Sequence, residues 1–204
     1  MATALDEPLV YVVDDDEAFR DSLTWLLDSA GLGVQAFDSA QRFLGGFRPQ
    51  QHACLVLDIR MPGMTGLELQ EELNRRPYSP PIIFVTGHGD VPMAVTAVKR
   101  GAVDFVEKPF SDEAFLELVQ KALRLDAELR SRSAVKLSVV TRLATLTPRE
   151  REVMERVIAG KLNKVIADDL AISIKTVEAH RARVMEKLGV SSVAELVQLS
   201  LSGQ

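Results

Sequence analysis

Cys54-Leu55-Val56-Leu57-Asp58-Ile59-Arg60-Met61-Pro62-Gly63-Met64-Thr65-Gly66 decides how this chain is read. A short aliphatic run ends on a carboxylate, and a loop rich in proline and glycine follows at once. Such a run, apolar on successive residues, reads as a strand buried on both faces, as in a parallel sheet. In an open parallel sheet, chemistry gathers just outside the carboxyl ends of the strands. Asp58 stands at that place.

The stretches on either side repeat the pattern. Upstream, Leu9 to Val13 is a buried strand ending on Asp14-Asp15-Asp16, and a helix begins near Glu17. Acidic residues there suit the helix dipole. Phe19, Leu23, Leu26 and Leu27 recur at helical spacing, and Gly31 is the stop. Val34 to Phe37 is a second strand, and Ser39 caps a short helix carrying Phe43 and Leu44. Downstream, Gly66 opens a helix with Leu67, Leu69 and Leu73 on its apolar side. Ile82 to Val85 is the fourth strand, followed by a loop from Thr86 to Asp90 and a helix from Pro92 to Lys99. Val103 to Val106 is the fifth, followed by Glu107-Lys108-Pro109-Phe110 and a helix from Asp112. Five alternations predict a doubly wound α/β domain with a five-stranded parallel sheet.

Parallel strands point the same way, so their polar end residues share one edge: Asp14 and Asp15, Asp58, Thr86, and Lys108. Each has an ordinary alternative: an N-cap cluster for Asp14 to Asp16, an Asx turn for Asp58, a solvated lysine, a strand-end hydroxyl. Their joint placement argues for a site. Converging carboxylates repel and raise one another's pKa unless a cation joins them. Mg²⁺ suits such an oxygen site, because it binds few carboxylates, keeps waters and accepts phosphate oxygens. An aspartate can also take a phosphoryl group covalently. Lys108 would neutralise phosphate oxygens as a point charge, and the Thr86 hydroxyl can donate to them.

Charge and composition point to a second, different unit. Residues 1–124 carry 11 basic against 19 acidic residues, whereas residues 125–204 carry 13 against 10. A basic half suits nucleic acid. No apolar run approaches the roughly 18–20 residues of a membrane span, and Met1 to Pro8 lacks a signal-peptide pattern. The single cysteine, Cys54, suits a reducing cytosol and reads as a small core residue. The expectation is a cytoplasmic protein.

From Asp112, apolar residues continue at spacings of three or four with no Gly or Pro before Pro148. The helix is expected to reach about Arg132, with a further helical piece around Val139, Leu143 and Leu146; a semi-ordered tether stays open as an alternative. Thr147-Pro148-Arg149-Glu150 is a capping box with proline at the first helical position. Asn163 to Leu170 is a short helix, Ala171-Ile172 turns the chain, and Ser173 caps a helix from Ile174 to Leu188, stopped by Gly189. A last helix begins at Ser192. Two helices across a short turn in a small basic all-α domain fit a helix-turn-helix.

At about 100° per residue, Ile174, Val177, Val184 and Leu188 of the second of these helices fall on a core side. Lys175, Glu178, Ala179, Ala182, Arg183 and Glu186 fall opposite. Small alanines admit the helix to the groove floor; Glu178 can accept from cytosine, and Lys175 and Arg183 can reach guanine or phosphate. Arg181 lies near the core side, so its stem is expected to snorkel. An ordinary exposed amphipathic face is the alternative.

Val13-Asp14-Asp15, Asp58 with Met61-Pro62-Gly63-Met64-Thr65-Gly66, Thr86 and Lys108-Pro109-Phe110 resemble the receiver domain of bacterial response regulators, over roughly residues 8–125. Thr86 to Ala94 and Val103 to Phe110 resemble especially the FixJ subgroup. The resemblance implies a flavodoxin-like fold and a phosphoryl group passed to Asp58 from a histidine kinase. It also implies Mg²⁺ on Asp15, Asp58 and the Arg60 carbonyl, with Asp14 acting through water. Phe105 matches the switch aromatic, and the Lys108–Pro109 bond the family's cis peptide.

Leu146 to Val153, Asn163 to Ala167, Ser173 to Arg181 and Lys187 to Val190 resemble the LuxR-type DNA-binding domain, over about 143–203. Asn163, Lys164, Thr176, Arg181 and Lys187 thereby join the expected DNA-contacting set; Arg181 departs from the family's usual hydrophobic residue, as in the FixJ branch. The domains expected are 1–124 receiver, 125–142 mostly helical linker and 143–204 DNA-binding. The partners implied are a histidine kinase, double-stranded DNA, RNA polymerase, and a second copy of the chain on phosphorylation through the fourth helix and fifth strand, roughly Val91 to Val106. Two rivals are weighed. An Asp-nucleophile phosphohydrolase needs a second Asp two residues on, where Arg60 stands. A phosphorylation-independent DNA-binding protein would not need the full set of pocket residues.

Overall fold

The computed structural model describes residues 7–87 and 91–202. The loop expected at His88 to Asp90 lies outside the described residues. Five strands, β1 (Leu9–Val13), β2 (Gly33–Phe37), β3 (Ala53–Leu57), β4 (Ile82–Thr86) and β5 (Asp104–Glu107), form one sheet in the order β2-β1-β3-β4-β5. Every neighbouring pair is parallel. The helices between them are α1 (Glu17–Ser29), α2 (Ala40–Gly46), α3 (Gly66–Asn74) and α4 (Val91–Lys99). α5 (Asp112–Ala144) follows the last strand.

Side chains alternate across a strand, and here both sets are apolar. Tyr11, Val13, Leu55, Leu57 and Phe84 face a core with Phe43 of α2, Leu69 and Leu73 of α3 and Ala97 of α4. Val10, Val12, Cys54, Val56, Ile83 and Val85 face another with Leu23 and Leu27 of α1 and Phe115, Val119 and Ala122 of α5. β1, β3 and residues 82–85 of β4 are therefore unbroken hydrophobic runs, and burial pushes the Cys54 thiol's pKa up. Gly31 ends α1 with φ +75°. Ser39 stands at the N-cap of α2 but gives no capping bond; its hydroxyl donates to Asp38 instead.

A fully buried carboxylate without a local signal in the sequence sits on α5. Asp126 accepts from the Ala53 backbone N–H at 3.0 Å and from the Tyr78 hydroxyl at 2.6 Å, with His52 Nδ1 at 2.8 Å. These groups lie at the amino end of β3, opposite the edge that carries Asp58.

The chain divides into two compact units, Met1–Leu129 and Arg130–Gln204. The division falls inside α5. Residues 112–144 form a single helix, not one ending near Arg132 followed by a separate piece, because nothing in that stretch breaks the backbone ladder. In the second unit, α6 (Pro148–Ile158), α7 (Asn163–Leu170), α8 (Ile174–Leu188) and α9 (Val193–Ser202) follow in turn. Val153, Val157, Ile166, Val177, Val184, Leu188 and Leu196 make the core. Thr147 and Glu150 form the expected capping box, with Pro148 at the start. Ala171, at φ +52°, turns α7 into α8, and Gly189, at φ +64°, stops α8.

Candidate functional site

The strand ends meet as expected. Asp14, Asp58 and Thr86 are buried at the carboxyl edge, Lys108 is half-buried and Asp15 is exposed. Backbone bonds set the edge: Asp58 N–H donates to the Val13 carbonyl at 2.8 Å, and Lys108 N–H to the Thr86 carbonyl at 2.9 Å. The Lys108–Pro109 peptide is cis.

Lys108 Nζ lies 2.7 Å from Asp14 Oδ2 and 3.9 Å from Asp58 Oδ1, so it leans on Asp14. Asp58 Oδ2 accepts the Arg60 backbone N–H at 2.8 Å. Burial, then the charge of Asp14, pushes the Asp58 carboxyl up to about 6; Lys108 and the Arg60 N–H pull it down, and Asp15 adds a smaller upward push. The carboxylates thus carry more negative charge than one lysine offsets. No three His, Cys, Asp or Glu side chains form a ready metal cage among the described residues. An oxygen site with one or two direct carboxylates, a backbone carbonyl and waters still suits Mg²⁺.

Three supporting groups were not singled out from the sequence. Arg20 Nη1 donates to the Asp14 backbone carbonyl at 2.7 Å, fixing the turn that aims the acidic pair. The Phe19 ring lies under Lys108, with the ammonium 3.4 Å from its centroid, and packs edge-on against Phe110. A cation over an aromatic face is attracted by the ring quadrupole. Thr65 and Glu68 form a capping box at the start of α3. Only the last has a local signature, Thr-x-x-Glu.

Gly66 brings α3 against the Asp58 loop. Its N–H donates to the Ile59 carbonyl at 2.9 Å. A Cβ at Gly66 would lie 2.1 Å from the Asp58 carbonyl oxygen, so no side chain fits there.

In the second unit, Lys175, Glu178, Ala179, Ala182, Arg183 and Glu186 form an exposed stripe along α8, and Lys164 is exposed on α7. One expectation needs correcting, and several of the expected DNA-contacting residues have hydrogen-bond partners within the unit. Ile174, read as core, is 46% exposed, because it is the first residue of α8 and stands a turn beyond buried Val177. The Thr176 hydroxyl is engaged with Ser173 Oγ at 2.8 Å, in the cap of the same helix. Lys187, expected at DNA, is bound to Glu150 Oε2 at 2.7 Å and the Thr145 carbonyl at 3.2 Å, tying α8 to the start of α6. Lys187 and the Thr147 backbone N–H hold the Glu150 carboxyl down at about 2. Arg181 Nη1 donates to Asn163 Oδ1 at 2.5 Å.

Comparison with known proteins agrees with this geometry. The family described as "Response regulator receiver domain" matches residues 10–120, and "Bacterial regulatory proteins, luxR family" matches residues 144–200. The chain is a two-component response regulator with a LuxR-type DNA-binding domain, a transcriptional regulator.

Within that class it belongs to the FixJ type. The transcriptional regulatory protein FixJ of Bradyrhizobium diazoefficiens is 48% identical over 192 residues, 94% of either chain. The response regulator protein TodT of Pseudomonas putida is 42% identical over 94% of this chain and 85% of its own. The structure of the response regulator StyR matches with a TM-score of 0.88 at 47% identity, over 96% of this chain and 98% of that one. Full-length FixJ from B. japonicum matches with 0.58 at 47% identity, over 97% and 98%. Regulators of this type are not enzymes. A receiver implies a histidine kinase as partner, and a LuxR-type helix-turn-helix implies DNA. No helix among the described residues is long and apolar enough to cross a membrane.

Proposed function

We propose that Asp58 is the phosphoacceptor and that its phosphorylation controls DNA binding by α8, in the bacterial cytoplasm. The carrying observation is the buried Asp58 carboxyl, raised to about 6 beside Asp14 and Lys108 at one sheet edge. Such a group is poorly compensated until a cation arrives, and it is then an ionised nucleophile. Asp15, Asp58 and the Arg60 carbonyl would hold Mg²⁺, with Asp14 reached through water. Bound there, Mg²⁺ supplies charge neutralisation for phosphate oxygens.

An Asp58 carboxylate oxygen bonds to phosphorus as the P–N bond of the kinase's phosphohistidine breaks, and the leaving imidazole nitrogen takes a proton. Lys108 exchanges its Asp14 contact for a phosphoryl oxygen, and the Thr86 hydroxyl turns in to donate to another. Phe105, half-buried on β5, follows Thr86. About two added charges suffice to bias a bistable element of this kind.

The α4–β5 face, where Val95 and Val98 are exposed, then pairs with a second copy. Dimerisation sets two α8 helices on two-fold-related half-sites about one helical turn apart. Asn163, Lys164, Lys175, Glu178, Ala179, Ala182 and Arg183 carry the contacts, and bound protein recruits RNA polymerase. The test is labelling with a small phosphodonor and Mg²⁺. One acid-labile phosphate per chain is expected in the native protein and none in Asp58→Asn; equal labelling of both would refute the assignment.

A further inference from the structure

Arg181 is a cation on the recognition helix, yet its geometry is not that of a DNA contact. The residue is half-buried and lines a small cleft with Val153, Val157, Val184 and Leu196. Its guanidinium emerges at the first residue of α7, where Nη1 meets Asn163 Oδ1 at 2.5 Å. Lys175 and Arg183 are exposed along the same helix by contrast.

The donor inventory fixes what this bond does. A guanidinium carries only donors, so it can face only the oxygen of an asparagine amide. The Asn163 amide is thereby locked with Oδ1 turned inward. Its Nδ2, which makes no hydrogen bond among the described residues, is turned away from Arg181. Phosphate oxygens accept and do not donate, so an asparagine is useful to them only through its NH₂ end. An unlocked amide flips freely and presents oxygen to phosphate in part of its population.

We propose that Arg181 is a positioning residue: it orients the Asn163 amide as a fixed donor to a DNA backbone phosphate, without touching DNA itself. The proposal rests on the placement of α7 and α8 at DNA given above. It makes Arg181, a departure from the family's usual hydrophobic residue at this position, a part of backbone recognition by α7.

The test uses the full chain, with Mg²⁺ and a small phosphodonor, and a labelled mixed-sequence duplex, because phosphate contacts do not depend on base sequence. Arg181→Met keeps the stem and its packing but removes the donors. Its expected effect is a roughly five- to tenfold loss of affinity, in the range of one lost hydrogen bond. The slope of log affinity against log salt should stay unchanged, since no phosphate-neutralising cation has been removed. Asn163→Ala should lose a similar factor. The double variant should lose no more than either single one.

Three results would overturn the proposal. Native affinity in Arg181→Met would make the side chain a packing element alone. A salt slope lower by about 0.9 in Arg181→Met would make it a direct phosphate contact. Additive losses in the double variant would mean that the two residues act independently. Ala179→Glu separates the underlying reading: native DNA affinity in that variant would remove α8 from the groove, whatever the other variants show.

Discussion

Replacing Gly66 by alanine should damage the receiver at Asp58, the proposed phosphoacceptor, although glycine to alanine ordinarily favours a helix. Gly66 is the first residue of α3. The added Cβ would lie 2.1 Å from the Asp58 carbonyl oxygen and 3.0 Å from both the Asp58 carbonyl carbon and Ile59 Cα. All three neighbours are backbone, so no flexible side chain can give way. Relief needs a shift of roughly 1.4 Å, from 2.1 Å to a van der Waals contact of roughly 3.5 Å.

That shift opposes the 2.9 Å bond from Gly66 N–H to the Ile59 carbonyl and the Thr65–Glu68 capping box. Overpacking costs about 1–3 kcal/mol and a weakened backbone bond about 1 kcal/mol, against a gain of up to about 1 kcal/mol in helix propensity. The net expectation is a loss of about 1–4 kcal/mol. Gly45→Ala in α2 is the control: nothing lies within 4 Å of its Cβ, so stability should hold or rise.

The readout is unusually clean. All 8 Phe, both Tyr and the one Trp lie at or before Phe115, so near-ultraviolet circular dichroism follows the first unit alone through urea. A displaced Asp58 should also accept phosphate about a hundredfold more slowly, the scale of a 1 Å misplacement. Gly66→Ala unfolding within about 0.5 kcal/mol of native, a typical neutral substitution, with native labelling, would refute the reasoning.

Two other perturbations test contacts distant from that loop. Asp126→Ala removes the acceptor shared by the buried Ala53 N–H and the half-buried Tyr78 hydroxyl, and should cost the first unit about 2–4 kcal/mol by the same dichroism, at about 1–3 kcal/mol for each buried donor that loses its acceptor. Asp126→Asn keeps one acceptor and should cost less; an equal loss in both would show that packing, not hydrogen bonding, is at stake. Glu150 tests pH. Its folded pKa, about 2, lies below the ordinary 4.5, so folding favours the ionised form. Its contribution is complete above about pH 4.5 and is lost as pH falls towards 2. Hydrogen exchange of the α6 amides should therefore show Glu150→Gln less protected at pH 7, with the difference shrinking below pH 4.5 and closing as pH falls through about 2, where both carry a neutral side chain. A difference that persists unchanged in acid would exclude an ionised Glu150 as its source.

What the sequence by itself determined is local in origin. The apolar runs in β1, β3 and β4, the left-handed stops at Gly31 and Gly189, and the capping box at Thr147 depend on residues a few positions apart. Their backbone preferences act before any distant contact forms. The common edge of Asp14, Asp58, Thr86 and Lys108 also followed, because parallel strands of known direction leave no choice of end. The Thr65–Glu68 box was equally legible but hidden by the glycine beside it.

Tertiary structure decided the partners. That Lys108 leans on Asp14 over the Phe19 ring, that Lys187 pairs with Glu150, that Arg181 holds Asn163, and that Ile174 projects past its core each require residues brought together from separate elements. Asp126 with Ala53, His52 and Tyr78 is the extreme case. A polar side chain carries no mark of which distant donor will reach it, since many folds satisfy the same hydrogen-bonding demand. Only packing selects one. The Asp58 stretch therefore announced the site, while the use of each charge around it was settled by which helices came to lie beside it.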